Sequence, residues 1–127
     1  MIYIVPVNLK RWNMLEKVEG PGHVETFLAT KSMVTSDLVL LHVGQQDSRY
    51  ESGVYALGTI VDGPYVIEGR PDDYCNGKLS VMVRIDRISH SAPLISHDDC
   101  RTFTGQFRSV HRIDPRYNSQ VEMMLGE

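Results

Sequence analysis

The chain has 127 residues, of which 42% are hydrophobic, and a formal net charge of −3, which suits one packed domain over residues 1–127 and argues against a disordered chain. No apolar run approaches the length of a membrane span, and the first residues lack the basic segment and cleavage site of a signal peptide. Cys75 and Cys100 are too few and too far apart for a disulfide scaffold or a clustered zinc site, so we expect a reduced, cytoplasmic protein without a metal or cofactor. The alternative is a single bridge between the two cysteines.

The first third of the chain predicts a strand followed by a short helix. Residues 2–5 read as a strand that ends at Pro6, because proline cannot donate a ladder hydrogen bond. Asn8 stands in the position of an N-cap for a helix over about residues 9–17. Residues 23–36 are ambiguous and fit a loop with one helical turn.

The centre of the chain predicts three strands. The continuous apolar run over residues 38–43 is typical of a buried strand, and it pairs naturally with residues 53–61 as an antiparallel hairpin. Residues 79–85 alternate apolar and polar side chains, and the loss of phase at Ile88 predicts a bulge near Asp86 and Arg87.

The last third predicts an irregular segment, a strand and a helix. Residues 91–103 lack periodicity, residues 106–113 alternate again, and Asp114 with Pro115 predicts the start of a final helix. Strands that follow one another with few helices between them indicate an α+β fold. We expect a mainly antiparallel, curved sheet, closed or nearly closed into a small barrel with flanking helices.

Five segments carry a resemblance to a known family, and they occur in the family's order along the chain. They are Asn8-Leu9-Lys10-Arg11-Trp12, Ser36-Asp37-Leu38-Val39-Leu40, Gly53-Val54-Tyr55-Ala56-Leu57-Gly58, Val61-Asp62-Gly63-Pro64-Tyr65, and the strand from Val81 to Ile88 followed by Pro93-Leu94. Together they resemble the EVE domains of the PUA-like superfamily, which are related to YTH and ASCH domains.

The resemblance implies a PUA-like fold with a pocket that recognises a modified base in DNA or RNA. Asn8 and Trp12 match the family's residues at the first helix, and His42 stands where relatives place an aromatic residue. The chain has no tryptophan beyond Trp12, so any aromatic cage must use His23, Phe27, His42 or a tyrosine.

The residue types support the same kind of site. A base held outside a duplex needs flat side chains for stacking, an amide for its edge, and cations for the neighbouring phosphates. Asn8 supplies an amide, and Trp12, His42, Phe27 and His23 supply rings. Each of these residues also has a purely structural alternative. Asn8 could serve only as a helix cap, and the rings could serve only to pack the core.

The cations come from the second half of the chain. Residues 78–117 contain seven Lys and Arg and four Asp and Glu, a local balance of +3. On the predicted strand, Arg108 and Arg112 share one face and could contact phosphates, with His111 on the other face. The alternative is an exposed edge strand whose charges prevent aggregation.

Motifs for catalysis are missing. The sequence contains no His-x-x-x-His pair, no phosphate-binding glycine loop and no Gly-x-Ser-x-Gly. We therefore expect a binding module and no enzyme. Two alternatives stay open: an ASCH-like hydrolase of a small modified nucleoside, and a protein-interaction domain that uses residues 123–125.

Overall fold

A computed structural model describes residues 1–126. Within these residues the chain forms seven strands and three short helices, with one 3-10 turn at Pro115–Tyr117. The strands are β1 Ile2–Val7, β2 Val24–Leu28, β3 Leu38–Val43, β4 Gly53–Val66, β5 Leu79–Ile88, β6 Ile95–Ser96 and β7 His111–Arg112. The helices are α1 Met14–Lys17, α2 His97–Cys100 and α3 Asn118–Met124. None of these helices is long and apolar enough to cross a membrane.

All seven strands belong to one sheet with the order β2-β5-β4-β3-β1-β7, and β6 pairs with β4 beside this path. Every pairing is antiparallel except that of β1 with β3, which is parallel. The α+β class and the mainly antiparallel, curved sheet are confirmed. Of the two expected forms, closed or nearly closed, full closure into a barrel does not occur, because no ladder within residues 1–126 joins the two edge strands of the sheet, β2 and β7.

The central strands are buried on both faces, which explains the uninterrupted apolar run in β3. Along β1, Tyr3 and Val5 enter one hydrophobic cluster, which we call the inner core, whereas Ile2 and Ile4 enter a second, the outer core. The inner core also contains Met14 and Leu15 of α1. The outer core is covered by α2 and α3. The two cysteines are buried and free, and Cys100 belongs to the outer core.

The curvature depends on irregular pairing between β4 and β5. Leu57 pairs with Arg87 and Gly58 with Ile85, so Asp86 is the extra residue of a bulge, as the sequence predicts. At this bend the two backbones approach closely. A Cβ atom on Gly58 would lie 2.5 Å from the carbonyl oxygen of Arg84, so only glycine fits here.

The segment after β1 differs from the prediction in two ways. β1 continues through Pro6, because proline is tolerated where a strand lacks a second partner and β7 pairs only with Tyr3 and Ile4. The predicted helix over residues 9–17 is largely a turn. The Asn8 carbonyl accepts hydrogen bonds from the backbone of Arg11 and Trp12, at 3.1 Å each.

Asn13, rather than Asn8, caps the helix that follows this turn. Its side chain accepts a hydrogen bond from the backbone of Glu16 at 3.3 Å, and α1 then runs for four residues. Residues 23–36 were also predicted wrongly as a loop with one helical turn. β2 begins at Val24 and pairs with β5, which buries Thr26 and Phe27.

The predicted strand over residues 106–113 shortens to the two residues of β7. The side chain of Gln106 closes a turn by accepting hydrogen bonds from the backbone of Arg108 and Ser109, at 3.0 and 3.2 Å. This turn satisfies the donors that a longer ladder would have used. Arg108 and Arg112 therefore do not share a strand face. Asp114 caps the 3-10 turn as expected, with Pro115 at its first position.

Gly58→Ala tests the close approach at the bend. We expect the free energy of unfolding in urea to fall by about 2 kcal/mol, because the added methyl group meets backbone that cannot move aside. Gly20→Ala is the matched control, since no atom lies within 4 Å of a Cβ atom at Gly20. Equal stability of the two variants would contradict this account of the bend.

Candidate functional site

A cleft of about 810 Å³ opens where the two parallel strands end. β1 ends at Val7 and β3 at Val43, and the next residue of each segment, Asn8 and Gly44, lines the cleft. Parallel neighbours place their carboxyl ends at the same edge of the sheet. The volume is in the range of about 300–1,000 Å³ that is common for small-molecule sites.

Three rings form one wall of the cleft, and we call them the His–Phe cluster: His42, His97 and Phe107. The ring centroid of Phe107 lies 4.6 Å from that of His42, with the planes 29° apart, and 4.5 Å from that of His97. His42 comes from the end of β3, His97 begins α2, and Phe107 belongs to the turn that precedes β7. Three distant parts of the chain therefore meet in one aromatic surface.

The two histidines of this cluster contact each other. His42 Nε2 lies 3.3 Å from His97 Nδ1, so one nitrogen donates and the other accepts, which requires that at least one ring is neutral. Only 3% of His42 is exposed. Burial, and secondarily the charge of His97, lowers the pKa of His42 to about 4. His42 is therefore neutral at pH 7.

Trp12 and Tyr74 form a second aromatic wall. Their ring centroids are 6.2 Å apart and their planes differ by 25°. Phe27 supports Trp12 from the inner core, with an edge contact at 5.7 Å between centroids. The Tyr74 hydroxyl donates to the carbonyl of Thr26 at 3.4 Å, and burial raises its pKa. Tyr74 is therefore protonated at pH 7.

Charged and polar side chains complete the lining. The exposed guanidinium groups of Arg11 and Arg108 are its cations, and Asn8, Gln45 and Gln46 contribute amides. The Asn8 side-chain oxygen accepts a hydrogen bond from the backbone of Lys10 at 3.0 Å. The residues that line the cleft can therefore stack on a flat group, hydrogen-bond to its edge and attract an anion.

The cleft continues past Trp12 into a second groove of about 410 Å³. Arg11, Trp12 and Tyr74 line both spaces. Glu25 and Arg70 line the second groove but not the cleft, so the second groove carries both signs of charge.

Four of the seven site residues predicted from the sequence line the cleft: Asn8, Trp12, His42 and Arg108. The other three lie elsewhere. Phe27 is buried beneath Trp12. His23 Nε2 lies 2.9 Å from a carboxylate oxygen of Glu25, outside the cleft, and Arg112 is exposed on β7.

Sequence reasoning missed His97, Phe107, Tyr74 and Gln46 as lining residues. For His97 a signal was present, since Ser96 followed by Asp99 has the spacing of a helix cap, and the Ser96 hydroxyl accepts from the Asp99 backbone at 3.2 Å. Tyr74 and Gln46 lie in irregular segments, where periodicity predicts no position for a side chain. Phe107 lies in a turn, although its spacing predicts a strand.

Comparison with known proteins gives structural neighbours. No family model and no curated protein matches the chain. A hypothetical protein from Leishmania major superposes with a TM-score of 0.68 at 14% identity, over 98% of this chain and 94% of that one. Rpa0253 from Rhodopseudomonas palustris superposes with a TM-score of 0.62 at 13% identity, over 98% of this chain and 92% of that one.

A third neighbour gives the fold a name. A point mutant of ZmASCH from Zymomonas mobilis superposes with a TM-score of 0.56 at 11% identity, over 96% of both chains. An ASCH domain belongs to the PUA-like superfamily, so the PUA-like fold expected from the sequence is confirmed at the level of the fold.

The lowered pKa of His42 predicts a pH dependence of stability. A group whose pKa is about 4 when folded and 6.5 when unfolded takes up protons preferentially in the unfolded chain between these values. The contribution of His42 to the free energy of unfolding is on the order of 3 kcal/mol. It is fully present above pH 6.5 and is lost as the pH falls to 4.

The measurement is the free energy of unfolding of the wild type and of His42→Phe from pH 8 to pH 4. The variant keeps a ring beside Phe107 without a titrating group. As the pH falls from 8 to 4, the free energy of unfolding of the wild type should therefore decrease relative to that of the variant. A difference that does not vary with pH would show that His42 titrates normally.

Proposed function

We propose that this domain binds a nucleobase of DNA or RNA, in particular a modified base, in the cleft at the ends of β1 and β3. The observation that carries the proposal is the meeting of two aromatic walls, three amides and two arginines in one cavity of about 810 Å³. Flat rings, edge-reading amides and phosphate-binding cations are the groups that a base outside a duplex requires.

The aromatic walls supply the stacking surface. Base–aromatic stacking contributes about 1–3 kcal/mol per base. Phe107 and Trp12 are half-buried, so each is held by packing while part of it faces the cleft. His42 adds a neutral ring, which does not repel a base that carries a positive charge.

The arginines supply attraction for the backbone on either side of the base. The net charge of the whole chain is −3, but charges separated by more than about 8 Å are screened at physiological salt. Arg11 and Arg108 at the cleft therefore matter more than the overall balance. Arg11 also lines the second groove, which could receive a neighbouring nucleotide.

Within the PUA-like superfamily we assign the chain to the EVE branch. Asn8 and Trp12, which carry the resemblance at the start of the chain, both line the cleft, and this supports the assignment.

We propose binding without catalysis. The alternative, an ASCH-like hydrolase of a small modified nucleoside, would use a constellation of lysine, glutamate and tyrosine. Tyr74 lines the cleft and Glu25 the second groove, but no lysine within residues 1–126 lines either space. Incubation of acylated cytidines with the purified protein tests this alternative, and release of the acyl group would overturn the proposal of binding alone.

Binding of short single-stranded oligonucleotides tests the stacking wall. Trp12 is the only tryptophan and lines the cleft, so its fluorescence reports on the site. Phe107→Leu removes a ring and keeps an apolar side chain. We expect its affinity for the best oligonucleotide in a panel of plain and modified bases to fall roughly 5-fold to 150-fold, the equivalent of one lost stack.

Tyr65→Leu is the matched control, because Tyr65 is an exposed aromatic residue on β4 outside the cleft. It should bind like the wild type. Absence of binding to every oligonucleotide at low salt would count decisively against the proposed function.

The salt dependence of binding separates the two arginines that the sequence singled out. Arg108→Ala should weaken binding of all oligonucleotides and reduce the slope of log K against log salt by about 0.7 if it contacts one phosphate. Arg112→Ala removes the same charge from β7, outside the cleft, and should leave the slope unchanged. Equal slopes for the two variants would show that phosphate contacts lie elsewhere.

A further inference from the structure

Gln46 has an unusual environment for a side chain in a loop. It follows β3 and lines the cleft, yet its Oε1 atom is buried and has no hydrogen-bond partner within residues 1–126. A buried acceptor without a partner destabilises the folded state, and such groups are rare in natural proteins. The amide is therefore held at the cleft at a cost to stability.

Gly44 leaves the space in which this amide lies. A Cβ atom on Gly44 would be 2.9 Å from both Oε1 and Nε2 of Gln46. Both terminal atoms thus lie at the same distance from the position that a side chain on residue 44 would occupy. Rotation about the last side-chain bond exchanges oxygen and nitrogen, and this torsion is broad and roughly two-fold in glutamine. Either a donor or an acceptor can therefore be turned toward a ligand.

The other amides near the site do not share this combination. Asn8 already accepts a hydrogen bond from the backbone of Lys10. Gln45 also lines the cleft, but its side chain is exposed to solvent. Asn118 has a buried oxygen without a partner, but it begins α3 and does not line the cleft. Gln46 is the one cleft amide within residues 1–126 whose oxygen is both buried and unpaired.

We propose that Gln46 is the specificity-determining residue of the cleft, where its carboxamide reads the hydrogen-bonding edge of the bound base. This inference rests on the proposed function. A carboxamide offers one donor and one acceptor side by side, the pattern that pairs in bidentate fashion with a base edge. A site built to make such bonds rejects ligands that cannot complete them, because the buried polar group is then left unpaired.

Gln46→Met tests the inference, because it keeps the length of the side chain and removes both polar atoms. Affinities are measured by Trp12 fluorescence for single-stranded oligodeoxynucleotides that differ at one central position, which carries each of the four bases, 5-methylcytosine, N6-methyladenine or an abasic site. For the wild type, we expect the ratio between the highest and the lowest affinity among the bases to be about tenfold or more.

In Gln46→Met this ratio should fall to about threefold or less, while the affinity for the abasic oligonucleotide is unchanged, since only the edge contacts are lost. Gly44→Ala should have the same effect by displacing the amide without removing it. Gln120→Met is the matched control on α3, outside the cleft, and should keep the base preference of the wild type.

A second readout does not depend on any ligand. The urea midpoint of Gln46→Met should rise above that of the wild type, because the unpaired acceptor is removed. A lower midpoint would show that the amide is structural and would overturn the inference.

Equal affinity of the wild type for all bases, or a preference that survives in Gln46→Met, would also overturn it while leaving the proposed function intact. Failure of the wild type to bind any oligonucleotide would instead overturn the proposed function itself.

Discussion

The parallel pairing of β1 with β3 is the constraint on which the rest of the structure depends. Six consecutive residues of each strand pair in register, from Ile2 with Leu38 to Val7 with Val43. Both segments must therefore leave the sheet at the same edge, and the chain after each strand has to turn there. The turn at Asn8 and the loop that starts at Gly44 are the direct results, and the cleft is the space between them.

The same pairing explains why the cleft is aromatic. β1 and β3 are covered on both faces, so the inner and the outer core both reach the edge where the strands end. Trp12 packs against the inner core and Phe107 against the outer core. Large rings that cap the end of a core are anchored on one side and open on the other, which is the arrangement that a stacking surface needs.

The sequence was informative where a pattern has one physical cause. Burial on both faces makes residues 38–43 uniformly apolar, and the loss of phase at Ile88 reflects the extra residue at Asp86. It was less informative where a side chain closes a local turn. Gln106 satisfies two backbone donors and prevents a longer strand before β7, although Phe107 and Ser109 keep the spacing that predicts a strand.

The same distinction holds for the residues of the site. Asn8 directly follows β1 and His42 lies at the end of β3, so strand patterns in the sequence locate both. Phe107 and Gln46 lie in loops, and only tertiary contacts determine the course of those loops.

The burial of both thiols has a practical consequence for work with this protein. Burial raises the pKa of the Cys75 thiol and raises that of Cys100 to about 12, so neither forms the reactive thiolate near neutral pH while the chain is folded. Maleimide reagents should therefore leave the native cysteines untouched. A cysteine introduced at an exposed position would be the sole labelling site, so one dye or spin label can be attached without first replacing Cys75 and Cys100.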